Sequence, residues 1–320
     1  MIVGYSWLSE KMQFIFRHGD QRVAHLPLMD NPIPVTLICL TYALTVKKVG
    51  PYLMRNRKPF DLRHVMIGYN LIMVLLSGIV VYNELFHHWL AGSSLACDPV
   101  DYSNSPRALR IVYNSYFYFI LKFVEFMDTI FFVLRKKNSQ ISNLHVIHHG
   151  LLPFSVWWGA KFVPGGHATF FGFINSFVHM IMYTYYALSA MGPVVQKYLW
   201  WKRYLTIFQL VQFVMIGVHS FQLFFRQCDF PTIFAVWIGS HGVLFWFLFT
   251  DFYKRAYKKP SKSSGICNNN GTLTTTVTAN GKTKASKNGI IDKLVKNDYS
   301  FILSTPPPYS DANGNINKIN

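Results

Sequence analysis

The chain is predicted to be an all-α polytopic membrane protein with seven transmembrane helices. Three observations carry that prediction. Of 320 residues, 51% are hydrophobic, 17% aromatic and only 14% charged, a balance that argues against a soluble enzyme. The charges are gathered into short blocks rather than scattered. Between the blocks lie seven mostly apolar stretches, several close to the ~20 residues that a helix needs to cross a bilayer. The formal net charge of +17 would suggest nucleic acid in a soluble domain. Here the basic residues flank apolar spans and recur in the tail, as expected of loops facing anionic membrane lipid. No nucleic-acid recognition module is present, so no such partner is expected.

In chain order, the N-terminal arm is interrupted by Glu10, Lys11, Arg17 and Asp20 and lacks the apolar core of a cleaved signal, so it is expected to be retained. The spans run roughly 32–46, 65–86, 112–134, 143–162, 169–190, 203–225 and 231–253. The first is short. The fourth is weakened by its histidines and by Gly150, Pro153 and Gly159.

Loop charge gives the orientation. Lys47, Lys48, Arg55, Arg57, Lys58 and Arg63 follow the first span, Arg135, Lys136 and Lys137 the third, Lys197, Lys202 and Arg203 the fifth, and Lys254, Arg255, Lys258 and Lys259 the seventh. The alternate loops are poor in Lys and Arg, so these four segments are expected in the cytosol, with the N-terminus on the other side. Lys11, Arg17 and Arg22 in the N-terminal arm run mildly against this. Cys97 and Cys228 then share the non-cytosolic compartment, where pairing is favoured over two free thiols. Cys39 falls in the first span and Cys267 in the tail.

Composition divides the chain into a membrane domain, 1–260, and a tail, 261–320, rich in Ser, Thr, Asn, Gly and Lys and expected to be disordered. Asn270-Gly271-Thr272 is a glycosylation triplet on the wrong side of the membrane. Pro306-Pro307-Pro308-Tyr309 resembles a ligand of aromatic grooves, although short proline motifs arise easily in such tails.

The chemistry-bearing residues lie inside the spans. His145, His148 and His149 head the fourth; on a helix His145 and His149 share a face with His148 beside them. Such a cluster can bind a metal, move protons or attack a carbonyl. Lys122, Glu125, Asp128 and Thr129 form a stripe on the third span, where opposite charges one turn apart offset each other's desolvation. Asn175, His179, Tyr183 and Tyr186 share a face of the fifth, and Thr206, Gln209 and Gln212 of the sixth. The bland alternatives are a structural ion pair on the third span and interhelical glue on the sixth. With the orientation above, these groups from four helices fall in one layer toward the cytosol, as in a buried reaction chamber.

Four motifs together resemble the very-long-chain fatty acid elongases of the endoplasmic reticulum. They are Lys122-Phe-Val-Glu125-Phe-Met-Asp128-Thr129, His145-Val-Ile-His148-His149, Asn175-Ser-Phe-Val-His179-Met-Ile-Met182-Tyr183-Thr-Tyr185-Tyr186 and Thr206-Ile-Phe-Gln209-Leu-Val-Gln212. The resemblance covers the membrane portion in the family's order. The tail departs from it, ending Asn317-Lys318-Ile319-Asn320 rather than in a dilysine-type retrieval signal. The resemblance implies six helices around a closed acyl tunnel within a seven-helix fold. It also implies condensation of a long-chain acyl-CoA with malonyl-CoA to 3-oxoacyl-CoA, carbon dioxide and CoA, with no metal or other cofactor. The other enzymes of the elongation cycle are expected partners, and homo-oligomer formation is left open.

No cysteine lies near the polar layer, so histidine is the available covalent acyl carrier. His148 is the expected nucleophile, with His145, His149 and His179 orienting it, moving protons or stabilising an enolate. Asp128 and Glu125 would fix a histidine tautomer. Lys122, Tyr185, Lys202 and Arg203 are assigned to the CoA group, and Asn175, Tyr183, Tyr186, Gln209 and Gln212 to substrate more generally. Gln140, near the box, hints at very-long or polyunsaturated chains.

Two other classes remain in view. A membrane di-iron desaturase or hydroxylase also uses such boxes, but needs ligands for two metals. This chain offers one box and the separate His64, His87, His88, His167, His179, His219 and His241. A non-enzymatic seven-helix transporter with a histidine proton relay is the third reading, without the internal repeats common in transport folds.

Overall fold

The computed structural model describes residues 18–257, and the described residues are helical throughout, with no strand. The expectations for Glu10, Lys11, Arg17, Lys258, Lys259, Cys267, the glycosylation triplet, the proline motif and the whole 261–320 tail lie outside the described residues.

A short α1, Gln21–Ala24, precedes α2, Ile33–Leu44, which runs through a π turn, Thr45–Val49, into α3, Gly50–Met54. The first span is therefore longer than the predicted 32–46, and Lys47 and Lys48 sit on it rather than in a loop. From this continuous helix Lys47 reaches sideways, donating to the Ile141 carbonyl and the Asn143 side chain, both at 2.8 Å. Next come α4, Arg63–Glu84, extended by a π turn, Leu85–Trp89; α5, Pro106–Val124; and α6, Phe126–Leu134, in line with α5 but separated from it at Glu125. The remaining helices are α7, Asn143–Phe162; α8, Thr169–Ala190; a short α9, Pro193–Gln196; α10, Lys202–Phe221; and α11, Thr232–Tyr257.

Four stretches are long and apolar enough to cross a bilayer: Ile33–Met54, Arg63–Trp89, Lys202–Phe225 and Thr232–Tyr257. They carry their apolar residues outward, with Leu75 69% and Val218 68% exposed, as lipid-facing surfaces do. The chain is a multi-pass membrane protein. The α5–α6, α7 and α8 stretches do not meet that measure among the described residues, and these are the stretches that bear the histidines and the charged stripe. A helix whose inner face is polar need not be apolar all round.

Packing runs in a closed ring: α4 on α8, α8 on α10, α10 on α11, α11 on α7, α7 on α5, and α5 back on α4, with α2 against the outer side of α7. One end of the ring gathers Arg63, Arg135, Lys137 and Lys202. There Arg63 donates to the carbonyls of Ala190 and Met191, the latter by a very short bond, and so closes the C-terminus of α8. Gly192 has φ +98°, and a Cβ there would lie 2.8 Å from the Arg63 guanidinium, so both conformation and space require glycine.

At the opposite end a disulfide joins Cys97 to Cys228 across a sequence separation of 131 residues, while Cys39 is buried and free. Replacing both bonded cysteines by alanine is expected to cost about 2–4 kcal/mol by releasing so long a loop. Thermal unfolding of the detergent-solubilised variant against the parent checks this, and an unchanged midpoint would count against it.

Candidate active site

The histidine box begins at a capped helix end. Ser142 accepts a hydrogen bond from the His145 backbone N–H at 3.1 Å, the geometry of a serine N-cap. This sets His145 in the first turn of α7 and brings His149 one turn later on the same face. Pro153 inside α7 has no N–H to offer the His149 carbonyl four residues earlier. His145 and His149 have ring centroids 4.3 Å apart, and His148 and His149 5.1 Å apart.

The third-span stripe faces these rings. Glu125, 2% exposed, takes the Lys122 ammonium at 2.5 Å and His179 Nδ1 at 3.1 Å on the same carboxylate oxygen, Oε1. Its other oxygen lies 4.0 Å from His149 Nδ1, an electrostatic approach beyond hydrogen-bond reach. A carboxylate accepts only, so the near nitrogen of His179, Nδ1, carries the proton, and its Nε2 is left with the lone pair in the neutral ring. Lys122 also donates to Asn175 Oδ1 at 3.1 Å, which Tyr118 reaches at 2.8 Å. One residue from each of α5, α7 and α8 thus converges on the carboxylate at the α5–α6 junction.

Two further chains of hydrogen bonds fix the layer. Tyr42 of α2 meets Thr129 at 2.8 Å, and Thr129 meets His145 Nε2 at 2.8 Å. Tyr183 donates to Asp128 at 2.7 Å, and Tyr69 packs edge-on against Tyr183 while donating to the Val124 carbonyl at 3.2 Å. Sequence reasoning missed Tyr42, Tyr69 and Tyr118. Single tyrosines in apolar spans give no polar periodicity, so only their contacts mark them.

His148 differs from its neighbours. It is half-buried, packs against Phe245 at 4.9 Å and Phe249 at 6.2 Å, and has no side-chain hydrogen bond among the described residues. His149 Nδ1 is likewise without a hydrogen-bond partner, but its ring is buried, so His148 is the more accessible of the two.

A cavity of about 460 Å³ opens at the basic end of the ring and reaches Asp128 in the polar layer. Arg63, Arg135, Lys137 and Lys202 line it, with Tyr185, Tyr186 and Gln209 of the predicted set, and Asp61, Tyr69 and Gln140 besides. Lys122 and Arg203 do not line it. Lys122 is sealed in the layer with Glu125, and Arg203 points out of the ring to the Tyr253 hydroxyl at 2.7 Å. Gln212 is buried with an unpartnered carbonyl oxygen and lies off the cavity wall. Among the histidines outside the box, His167 and His219 stack on each other at 3.9 Å, far along the sequence from the layer and close to Asp98 beside the disulfide.

Fold and site together define a polytopic helical membrane protein with a buried layer of histidines and carboxylates that an open cavity reaches at Asp128. The family model for ELO, the GNS1/SUR4 family, matches residues 27–265. Very long chain fatty acid elongase 7 of Drosophila melanogaster is 54% identical over 273 residues, covering 85% of this chain and 81% of the relative. Very long chain fatty acid elongase 1 of Homo sapiens is 47% identical over 262 residues, covering 81% and 94%, and human very long chain fatty acid elongase 4 is 45% identical over 277 residues, 86% of each chain. The chain belongs to the ELO family of very long chain fatty acid elongases.

Proposed function

We propose that this protein is a 3-oxoacyl-CoA synthase, condensing a long- or very-long-chain acyl-CoA with malonyl-CoA through an acyl-imidazole on His148. The observation that carries the reading is the convergence of His145, His148, His149 and His179 on one carboxylate-bearing layer, reached by a basic-mouthed cavity.

In the first half-reaction a ring nitrogen of His148 attacks the acyl thioester carbonyl. The carbon–sulfur bond breaks, the acyl group stays on the imidazole, and the CoA thiolate leaves and is protonated. In the second, malonyl-CoA loses carbon dioxide and the freed electron pair becomes an enolate on the remaining thioester. The enolate carbon attacks the acyl-imidazole, the new carbon–carbon bond forms as the carbon–nitrogen bond breaks, and the departing His148 ring takes up from water the proton it gave to the CoA thiolate. His179, held by Glu125 through Nδ1, presents Nε2 as the base or hydrogen-bond partner for these proton movements. Thr129 and Tyr42 hold His145, and Tyr183 holds Asp128, so the layer is fixed before substrate enters.

The CoA groups would lie in the 460 Å³ cavity with their phosphates among Lys137, Arg135 and Lys202. The acyl chain would run toward the disulfide end inside the ring of six helices, a closed tunnel within seven spans. The basic end is then cytosolic, the N-terminus lumenal and the membrane that of the endoplasmic reticulum, in keeping with the positive-inside rule. Residues 1–260 form the catalytic domain. The reaction as written needs no metal or cofactor.

A radiolabelled malonyl-CoA assay across an acyl-CoA panel tests the reading; absence of labelled 3-oxo product with every acyl-CoA would overturn it. A Lys137→Gln/Lys202→Gln double variant is expected to raise KM for both thioesters by about fivefold, roughly 1 kcal/mol of lost phosphate attraction, with kcat little changed. A fall in kcat with KM unaltered would place those lysines elsewhere.

A further inference from the structure

On the disulfide side of the polar layer lies a second cavity of about 60 Å³, lined by residues of α4, α5, α7, α8 and α11. Its walls are mainly apolar, Val80, Val156 and Phe171 among them, and Tyr118 links it to the layer through Asn175. Two residues break that character. Glu84, 3% exposed, ends α4 where the helix widens into its π turn, a wrinkle found often at functional sites. Its Oε1 accepts from Asn114 at 2.7 Å, while Oε2 is buried with no partner. His241 of α11, 6% exposed, also lines the cavity. Its Nδ1 lies 2.7 Å from the Trp237 carbonyl, which accepts only, so Nδ1 holds the proton and the neutral ring turns an acceptor, Nε2, to its other side. That nitrogen too is buried without a partner.

Buried polar atoms are nearly always paired, and leaving one unpaired is costly. The other polar groups around the cavity do not supply the missing donor. Tyr118 donates to Asn175 and Thr169 to the Gly166 carbonyl, while Ser115 and Ser155, the latter accepting from Trp237 Nε1, lie on the wall with neither hydroxyl bonded to Glu84 Oε2 or His241 Nε2. Two unpartnered polar atoms beside an otherwise apolar chamber of this size are complementary to one small hydroxyl group, which can both donate and accept, at the end of an apolar chain.

We infer that Glu84 and His241 form a hydroxyl-binding pocket for the far end of the acyl chain, so that long acyl-CoA substrates bearing a terminal hydroxyl are accepted in preference to methyl-ended chains of equal length. The inference rests on the condensing activity proposed above and on the acyl chain running toward the disulfide end. A methyl end reaching the pocket leaves both polar atoms bare, whereas a hydroxyl end can pair with at least one of them.

The test is a pair of substrate series, methyl-ended and ω-hydroxy acyl-CoA, lengthened two carbons at a time from myristoyl to hexacosanoyl, with purified full-length protein and labelled malonyl-CoA. The ratio of kcat/KM, hydroxy over methyl, is expected to stay near or below one for chains too short to reach and to rise about tenfold at the length that does. Glu84→Leu and His241→Phe are each expected to flatten that rise while retaining elongation of methyl-ended chains. A ratio flat with length, as for a pocket that holds water only, overturns the inference. So does a rise that both variants preserve. Loss of elongation for every methyl-ended chain in the parent protein is the separate failure of the condensing reading itself. Thermal unfolding of each variant distinguishes a lost pocket from a lost fold, and Glu84→Gln, which keeps an acceptor oxygen, is expected to keep the rise.

Discussion

His148→Ala is expected to abolish release of CoA from acyl-CoA supplied alone, and to lower condensation by about 10⁴-fold or more, the scale of removing a covalent nucleophile. The expectation follows from the contrast within the box. His145 is held by Thr129, and His149 is buried against Glu125, while His148 has a half-buried ring with no hydrogen bond among the described residues. A nucleophile needs its lone pair free and its nitrogen within reach of a carbonyl; Thr129 engages His145, and His149, though without a hydrogen bond, is the more buried ring, which leaves His148 as the ring that meets both conditions best. Because its ring packs mainly on Phe245 and Phe249 and makes no hydrogen bond among the described residues, truncation should leave thermal stability nearly intact. Mass spectrometry of the parent after acyl-CoA treatment should show a labile acyl adduct. An adduct that survives His148→Ala would assign the nucleophile elsewhere.

Glu125→Ala carries the second large effect. The carboxylate sits between Lys122 at 2.5 Å and His179 at 3.1 Å. Deleting it strands an ammonium in the interior and removes what fixes the His179 proton. Breaking a buried pair from one side costs about 3–5 kcal/mol, and losing a positioned acid–base group typically lowers rate by about 10²–10⁴-fold. The two consequences separate. A Lys122→Met/Glu125→Leu double variant removes both charges together and is expected to recover most of the stability, since apolar replacements of buried pairs are often neutral. It should recover none of the rate. Thermal midpoints and turnover of the single and double variants provide the comparison. A stable, inactive Glu125→Ala would show that the pair contributes chemistry without holding the fold.

Much of this site was legible in the spacing. Lys122, Glu125, Asp128 and Thr129 were expected on one stripe facing inward, and all four are buried. Asn175, His179 and Tyr183 likewise share the inner face of α8, because an ionisable or amide group in an apolar helix has a single low-cost direction to face. The CoA contacts were less legible. Lys122 and Arg203 look alike as cations on otherwise apolar spans, yet one is enclosed with Glu125 and the other turns outward to Tyr253. Charge identifies a helix end but not the side of the helix from which a long, flexible side chain departs. Arg63 and Arg135 were read only as orientation signals, and the cavity wall was where they acquired a second role.

The span boundaries show the same division. The fifth span was expected at 169–190, where α8 lies, but the first was ended too early because Lys47 and Lys48 resemble a loop until their partner across the bundle is known.

What the sequence determined by itself was a helical membrane chain, the inward faces of its polar helices, and the four motifs of an elongase, since periodicity and burial cost act within each segment. Only the tertiary structure decided that Glu125 joins Lys122 to His179, that Tyr42 reaches Thr129 from α2, and that Glu84 and His241 line one small chamber. Those contacts depend on how six helices pack around one another, and a ring nitrogen or carboxylate finds its partner across a distance in sequence that local pattern does not encode.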